Sequence, residues 1–146
     1  MLFRSFETII HEADEEASLP SSFVRQNTRS SGVVTYMHRT GPGFFAEQGL
    51  VYQDMVYVYD LELPPDMVPT PRDDEVKEFY LMGVEEVREA MGRGEFKPNS
   101  AVVMLDFLVR QGLVTEENEG DFVEICTRMR RRLPFPVTGM GWKRKG

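Results

Sequence analysis

The chain has 146 residues, of which 41% are hydrophobic and 28% are charged, values that are ordinary for one soluble globular domain. No apolar run approaches the roughly eighteen residues of a membrane-spanning helix, so no membrane span is predicted. The single cysteine, Cys126, excludes an internal disulfide framework, and with only two histidines, far apart in sequence, it does not form a zinc site.

Charge is distributed unevenly along the chain. The formal net charge of −7 divides into −14 for residues 1–127 and +7 for residues 128–146. A basic C-terminal segment attracts phosphates or nucleic acid, but this one has few aromatic residues and follows an acidic body that repels polyanions. We therefore predict no nucleic-acid partner. We interpret Arg130, Arg131 and Arg132 as the exposed end of a helix, where positive charge is favourable, followed by a flexible basic tail at residues 137–146.

The first half of the chain predicts two helices and two strands. Apolar spacing predicts a helix over Ser5–Ala17, and a short helix is expected at Ser21–Asn27. β-Branched and aromatic residues predict a strand at 32–39, and the Thr-Gly-Pro-Gly sequence at 40–43 predicts a turn. The clearest strand is expected at 50–63.

The second half begins with a proline-rich loop and then becomes mainly helical. Four prolines between residues 64 and 71 enforce an extended loop that ends in the acidic sequence Asp73-Asp74-Glu75. Residues 76–82 predict a further strand. Helices are then expected at Val84–Gly92, 98–112 and 121–132, and Cys126 is expected on the apolar face of the last one. This order of elements predicts a mixed α/β domain with helices packed on a sheet.

Residues 11–19 (His-Glu-Ala-Asp-Glu-Glu-Ala-Ser-Leu) are the most informative segment for function. On a helix, Glu12, Glu15 and Glu16 lie on one face, because residues three and four apart are neighbours. Three like charges this close repel one another, and a divalent cation among them relieves the repulsion; magnesium prefers such hard oxygen ligands. Taken alone the pattern is weak, since acidic surface helices that only aid solubility are common.

The same segment resembles the second half of the Nudix box, G-x5-E-x7-R-E-U-x-E-E-x-G-U, in which U is aliphatic. His11 stands at the arginine position and Ser18 at the second glycine position. The first motif glutamate falls at Phe3, and the opening glycine would precede Met1. The positions that match are Glu12, Ala13, Glu15, Glu16 and Leu19.

Other segments resemble one fungal and plant branch of the Nudix hydrolases, labelled thiamin pyrophosphokinase-related. They are residues 56–64, 74–82, 94–100 and 106–112. The resemblance implies a single, partial domain over 1–136, with a Nudix-type α/β/α sandwich and a mixed sheet that lacks its N-terminal strands. We accordingly expect a shortened version of an enzyme.

The resemblance also implies an activity. It is Mg²⁺- or Mn²⁺-dependent hydrolysis of a diphosphate linkage in an organic diphosphate, such as a thiamine diphosphate derivative or a damaged nucleoside diphosphate or triphosphate. Glu12, Glu15 and Glu16 map to metal-binding positions. Glu15 and Glu16 are the catalytic candidates, with Glu15 as the candidate base.

Residues outside the box are weaker candidates. Glu75, Glu78 or Asp74 lies where many Nudix enzymes add an acidic ligand or base, although an acidic loop is usually only solvated. Tyr57 and Tyr59 are candidates for stacking on a substrate ring, although tyrosines on a strand more often pack against neighbours. Glu75 and Tyr59 are retained as substrate-binding candidates.

A different class of function is also open. His11 and Phe3 replace an arginine–glutamate pair that holds the catalytic helix in the family pattern, so a catalytically impaired remnant that binds a ligand or partner is the alternative. The lack of a signal-like N-terminus predicts a cytoplasmic setting, with the nucleus as the alternative. The sequence does not fix an oligomeric state.

Overall fold

A computed structural model describes residues 5–39 and 51–133, and within them the chain is a mixed α/β structure. Five helices and an antiparallel pair of strands occur in this described part, and none of these helices is long and apolar enough to cross a membrane. The elements are α1 (Ser5–Ala17), α2 (Ser21–Asn27), β1 (Arg29–Arg39), β2 (Val51–Asp60), α3 (Val84–Gly92), α4 (Pro98–Arg110) and α5 (Phe122–Arg128). The predicted turn at 40–43, the tail at 137–146 and Phe3 lie outside the described residues.

The chain forms two compact units, and β1 and β2 contribute residues to both. Among the described residues, the first unit comprises 5–32 and 57–98, and the second comprises 33–39, 51–56 and 99–133. The sequence expectation of one domain over 1–136, with a Nudix-type sandwich, stays a prediction.

The first unit is built around the apolar face of α1. Ile10 and Val24 are 4% and 1% exposed, and they form a buried cluster with Ala17 and Leu19. Leu61 and Leu63 pack against this cluster. The predicted strand at 50–63 therefore ends earlier, at Asp60, because the next leucines turn into the core and two prolines follow. In the same unit, Glu86 Oε2 accepts the Gly83 N–H at 2.6 Å and caps the start of α3.

The second unit contains a buried charge network. Asp106 of α4 is 1% exposed, and its carboxylate accepts hydrogen bonds from Arg110 Nε at 2.8 Å and from Arg130 Nη2 at 2.5 Å. Its two oxygens thus each have a cationic partner, which a buried carboxylate needs to offset desolvation. Val34 and Leu108 are buried in this unit as well.

The predicted last helix, 121–132, is wrong at its C-terminal end. Helix α5 stops at Arg128, and Arg130 instead forms a bridge with Thr35 of β1. The Thr35 N–H donates to the Met129 carbonyl at 2.9 Å, and its hydroxyl donates to the Arg131 carbonyl at 2.6 Å. The interpretation of Arg130, Arg131 and Arg132 as a helix end is therefore wrong, because backbone bonds to β1 and the Asp106 ion pair replace the last helical turn. Cys126 is half-buried on α5.

The predicted strand at 76–82 is also wrong. These residues form neither helix nor strand, and Tyr80 and Leu81 are 74% and 103% exposed. A strand is stabilised by hydrogen bonds and side-chain contacts with a neighbouring strand, and in the described part of the chain only β1 and β2 pair. High β-propensity alone therefore does not produce a strand here.

Candidate metal centre

Helix α1 presents its acidic residues away from the buried cluster. Its start is held by Tyr59, whose hydroxyl lies 2.7 Å from Ser5 Oγ and whose ring lies 5.9 Å from that of Phe6. Ile10 and Ala17 point into the core, and by the helical period Glu12, Glu15 and Glu16 lie on another face of α1, on which Glu15 is exposed and Glu16 is half-buried. The predicted clustering of these carboxylates on one face thus follows directly from the burial of the other face.

We call the surface of α1 that carries Glu12, Glu15 and Glu16 the acidic face. Its first part is a cluster of His11, Glu12 and Glu15. One potential ligand atom from each of the three lies within 4.8 Å of the other two. His11 Nδ1 is 3.1 Å from Glu15 Oε2, so the histidine at the family's arginine position contacts a glutamate one turn further along α1. Both of these side chains are more than half exposed, which leaves them open to a ligand from solvent.

The carboxyl group of Glu16 is perturbed by its surroundings. Its pKa is raised above the usual range, first by desolvation and then by the negative charges of Glu12, Glu75 and Asp73. A hydrogen bond with the Glu12 carboxyl acts in the same direction. Perturbed carboxyl groups of this kind are frequent at functional sites, because a cation or a proton that binds there relieves the repulsion.

The proline-rich loop brings its acidic end to Glu16 through contacts with the end of α1. Ser18 Oγ donates to the Thr70 carbonyl at 3.0 Å, and the Thr70 N–H donates to the Ala17 carbonyl at 3.1 Å. Arg72 Nη1 then donates to Asp14 Oδ1 at 2.7 Å. These contacts place the next acidic residues of the loop beside the last turn of α1.

Ser18 occupies a conformation that favours glycine. Its φ is 56°, in the left-handed region, directly after the last residue of α1. The family motif places a glycine at this position, and the conformation explains that preference, since a Cβ atom is disfavoured there. The hydrogen bond from Ser18 to the loop offsets part of this cost.

The donor set of the acidic face fits a hard divalent cation. Ligand atoms on opposite sides of one Mg²⁺ are about 4.2 Å apart, so atoms already within 4.8 Å reach that geometry by small side-chain rotations. Carboxylate oxygens suit Mg²⁺ and Mn²⁺, and the His11 imidazole adds a nitrogen that favours Mn²⁺ among the two.

The structure separates the weaker candidates from one another. Glu75 lies close enough to Glu16 to affect its pKa, whereas Glu78 accepts a hydrogen bond from the hydroxyl of Tyr80. Tyr59 packs against the start of α1 through its hydroxyl and ring. Asp73 was not singled out from the sequence, although it belongs to the predicted acidic sequence at 73–75, and its proximity to Glu16 depends on how the loop is held.

The fold and the acidic face together define a mixed α/β chain with a carboxylate-rich candidate metal centre. The chain is 44% identical over 136 residues to the uncharacterized protein YJR142W of Saccharomyces cerevisiae, a match that covers 90% of the chain and 40% of that protein. It is 34% identical over 125 residues to "Nudix hydrolase 24, chloroplastic" of Arabidopsis thaliana, covering 85% of the chain and 32% of the relative. For "Nudix hydrolase 20, chloroplastic" of the same plant the identity is 32% over 125 residues, and the coverages are 85% and 31%.

The chain is thus similar over most of its length to proteins named Nudix hydrolases, and it spans less than half the length of each of these three relatives. No family model matches it, and no solved structure matches it.

Proposed function

We propose that the chain is a Nudix-type hydrolase that cleaves a diphosphate linkage in an organic diphosphate. The observation that carries this proposal is the matched half of the Nudix box on α1, in which Glu12 and Glu15 cluster with His11 and the pKa of Glu16 is raised in part by the charge of Glu12. Similarity over 85% of the chain to two proteins named Nudix hydrolases supports it. The Nudix-type sandwich and the thiamin pyrophosphokinase-related branch belong to the same proposal.

In this proposal Glu12, Glu15 and Glu16 hold Mg²⁺ or Mn²⁺. The bound cation would neutralise diphosphate charge and lower the pKa of a bound water. Glu15, more than half exposed, accepts a proton from the attacking water as general base. Glu16, surrounded by other carboxylates, contributes the charge that draws the cation to the end of α1.

The substrate class in the proposal is a thiamine diphosphate derivative or a damaged nucleoside diphosphate or triphosphate, carried over from the resemblance alone. The proposed setting is the cytoplasm, with the nucleus as the alternative. Both Arabidopsis relatives are named chloroplastic, so fractionation of cells that express the tagged protein decides between these compartments.

The experiment measures release of phosphate and of pyrophosphate by the purified chain with Mg²⁺, against thiamine diphosphate, its oxidised derivatives and a nucleotide panel. We expect release from at least one compound, abolished by EDTA and by Glu16→Gln. Glu85→Gln is the matched control, since Glu85 is an exposed glutamate of α3 that contributes nothing to the proposed centre. A folded chain that is inactive against the whole panel would overturn the proposal.

The second candidate is a binding module derived from such an enzyme. It is favoured by one observation: His11, at the family's arginine position, contacts Glu15 within α1 rather than an element outside the helix. Arginine has a fork of five donors and histidine does not, so the orienting contact of the family is not reproduced by this residue. Binding of a diphosphate in calorimetry, without phosphate release, would select this candidate.

A further inference from the structure

The ion pair between Arg72 and Asp14 joins the proline-rich loop to α1 one turn from the acidic face. Arg72 Nη1 lies 2.7 Å from Asp14 Oδ1, and the two side chains are 58% and 42% exposed. In the part of the Nudix box that this chain matches, Asp14 stands at the unspecified position between Ala13 and Glu15. The pair is therefore a feature of this chain rather than part of the motif.

We propose that Arg72 is a positioning residue for the metal centre: through Asp14 it holds Asp73 and Glu75 beside Glu16, where their carboxylates add to cation binding. This inference rests on the proposed function, because it assumes that the acidic face binds a divalent cation. It assigns Arg72 no contact with substrate or metal.

Repulsion within the acidic face makes such a restraint necessary. The charges of Glu75 and Asp73 both act on Glu16, in the same direction as Glu12. Without a cation, these like charges push the acidic end of the loop away from α1. Three contacts oppose this movement: the two hydrogen bonds at Thr70 and the ion pair of Arg72. Of these three contacts, the ion pair is the one made by the residue directly before Asp73, since Arg72 precedes Asp73 in the chain.

The internal geometry of the loop transmits this restraint. Asp73 Oδ1 accepts the Glu75 N–H at 3.1 Å, so the two acidic residues are held together in one turn. A restraint on Arg72 therefore affects the position of both residues and not only that of its immediate neighbour Asp73.

Positioning and simple electrostatics predict opposite results when the charge of Arg72 is removed. If Arg72 were only a nearby positive charge, its removal would strengthen cation binding, because one repulsive charge is lost. If Arg72 positions the loop, its removal weakens binding, because Asp73 and Glu75 move away from Glu16. The sign of the change in affinity thus separates the two roles.

The chain offers a matched control in Arg25. Arg25 pairs with Glu7 of α1 through bonds of 2.6 and 2.7 Å, and these side chains are 52% and 54% exposed. Arg25→Gln therefore removes the same charge and a similar exposed ion pair, between α2 and α1, while the contacts of the proline-rich loop are left in place.

The test is titration of the full chain with Mn²⁺, with free Mn²⁺ followed by electron paramagnetic resonance. We expect Arg72→Gln to weaken Mn²⁺ binding by up to about five-fold, the most that an exposed ion pair supplies, and Arg72→Lys to restore most of it. Arg25→Gln is expected to leave the affinity unchanged or to increase it slightly. Circular dichroism verifies that each variant is folded.

The outcomes separate this inference from the proposed function. Suppose that Mn²⁺ binding by the wild-type chain depends on Glu16, and that Arg72→Gln binds Mn²⁺ equally well or more tightly. This outcome would overturn the positioning role alone. Equal weakening by Arg25→Gln and Arg72→Gln would also overturn it, since the effect would then belong to α1 stability. Failure of the wild-type chain to bind Mn²⁺ would overturn both proposals.

Discussion

Replacing Glu16 by glutamine removes one negative charge from among the carboxylates of Glu12, Glu75 and Asp73. Burial and the charges of Glu12, Glu75 and Asp73 raise the pKa of Glu16 in the folded chain. A carboxyl group whose pKa is raised by folding stabilises the fold below its unfolded pKa, and this contribution is lost as the pH rises through the folded pKa. Near neutral pH and without metal, Glu16→Gln should therefore increase the free energy of unfolding.

The magnitude follows from charge separation and from linkage to the metal. Two unit charges about 5 Å apart repel by about 0.8 kcal/mol in water, and salt reduces this value. We expect Glu16→Gln to gain about 0.5 kcal/mol at neutral pH without metal. For a site with a Kd of about 1 mM, about 10 mM MgCl2 stabilises the wild type by about 1.4 kcal/mol, or roughly 5 °C in Tm.

The assay is urea and thermal unfolding of the wild type, Glu16→Gln and Glu85→Gln, in EDTA and in MgCl2. The wild type and Glu85→Gln should both be stabilised by MgCl2, whereas Glu16→Gln should start higher and respond little. The reasoning is refuted if Glu16→Gln is less stable than the wild type in EDTA, or if MgCl2 stabilises all three chains equally.

Two further predictions concern single residues of the fold. Ser18→Ala keeps the left-handed φ of 56° but loses the hydrogen bond to Thr70, whereas Ser18→Gly loses the bond and relieves the strain. In urea unfolding the alanine variant should be about 1 kcal/mol less stable than the glycine variant, and equal stabilities would contradict the strain argument. Burial and then Asp54 raise the pKa of Tyr36 to about 12 from an ordinary 10.0, so its contribution is present below pH 10.0 and is lost as the pH rises toward 12. The stability of wild type relative to Tyr36→Phe should therefore fall across this range, and a constant difference would contradict the shift.

The elements that the sequence predicted correctly are those fixed by local pattern. The bounds of α1, α2 and α3 match the prediction, because apolar spacing and adjacent glycine or proline residues act within a few residues of each other. The failures depend on distant partners. Helix α5 ends at Arg128 because Arg130 pairs with Asp106, 24 residues earlier in the chain. Residues 76–82 have the composition of a strand but no strand to pair with among the described residues.

The candidate metal centre was likewise predictable only where it depends on local sequence pattern. The clustering of Glu12, Glu15 and Glu16 follows from helical spacing alone, so it was predictable without a structure. The approach of Asp73 and Glu75 to Glu16 depends on contacts between residues more than fifty positions apart, such as Arg72 with Asp14. Spacing in sequence carries no signal for such a contact.

Hydrolysis in water enriched in oxygen-18 is the measurement that tests the central claim most directly. With Mg²⁺ and a compound from the thiamine diphosphate and nucleotide panel, the account predicts an organic monophosphate, together with phosphate from a diphosphate or pyrophosphate from a triphosphate. One of the two products should carry one oxygen-18 atom. We also predict that Glu16→Gln lowers this rate by more than about 100-fold while Glu85→Gln does not. A folded wild-type chain that forms no labelled product with any compound, or a Glu16→Gln variant that keeps full activity, would contradict the claim.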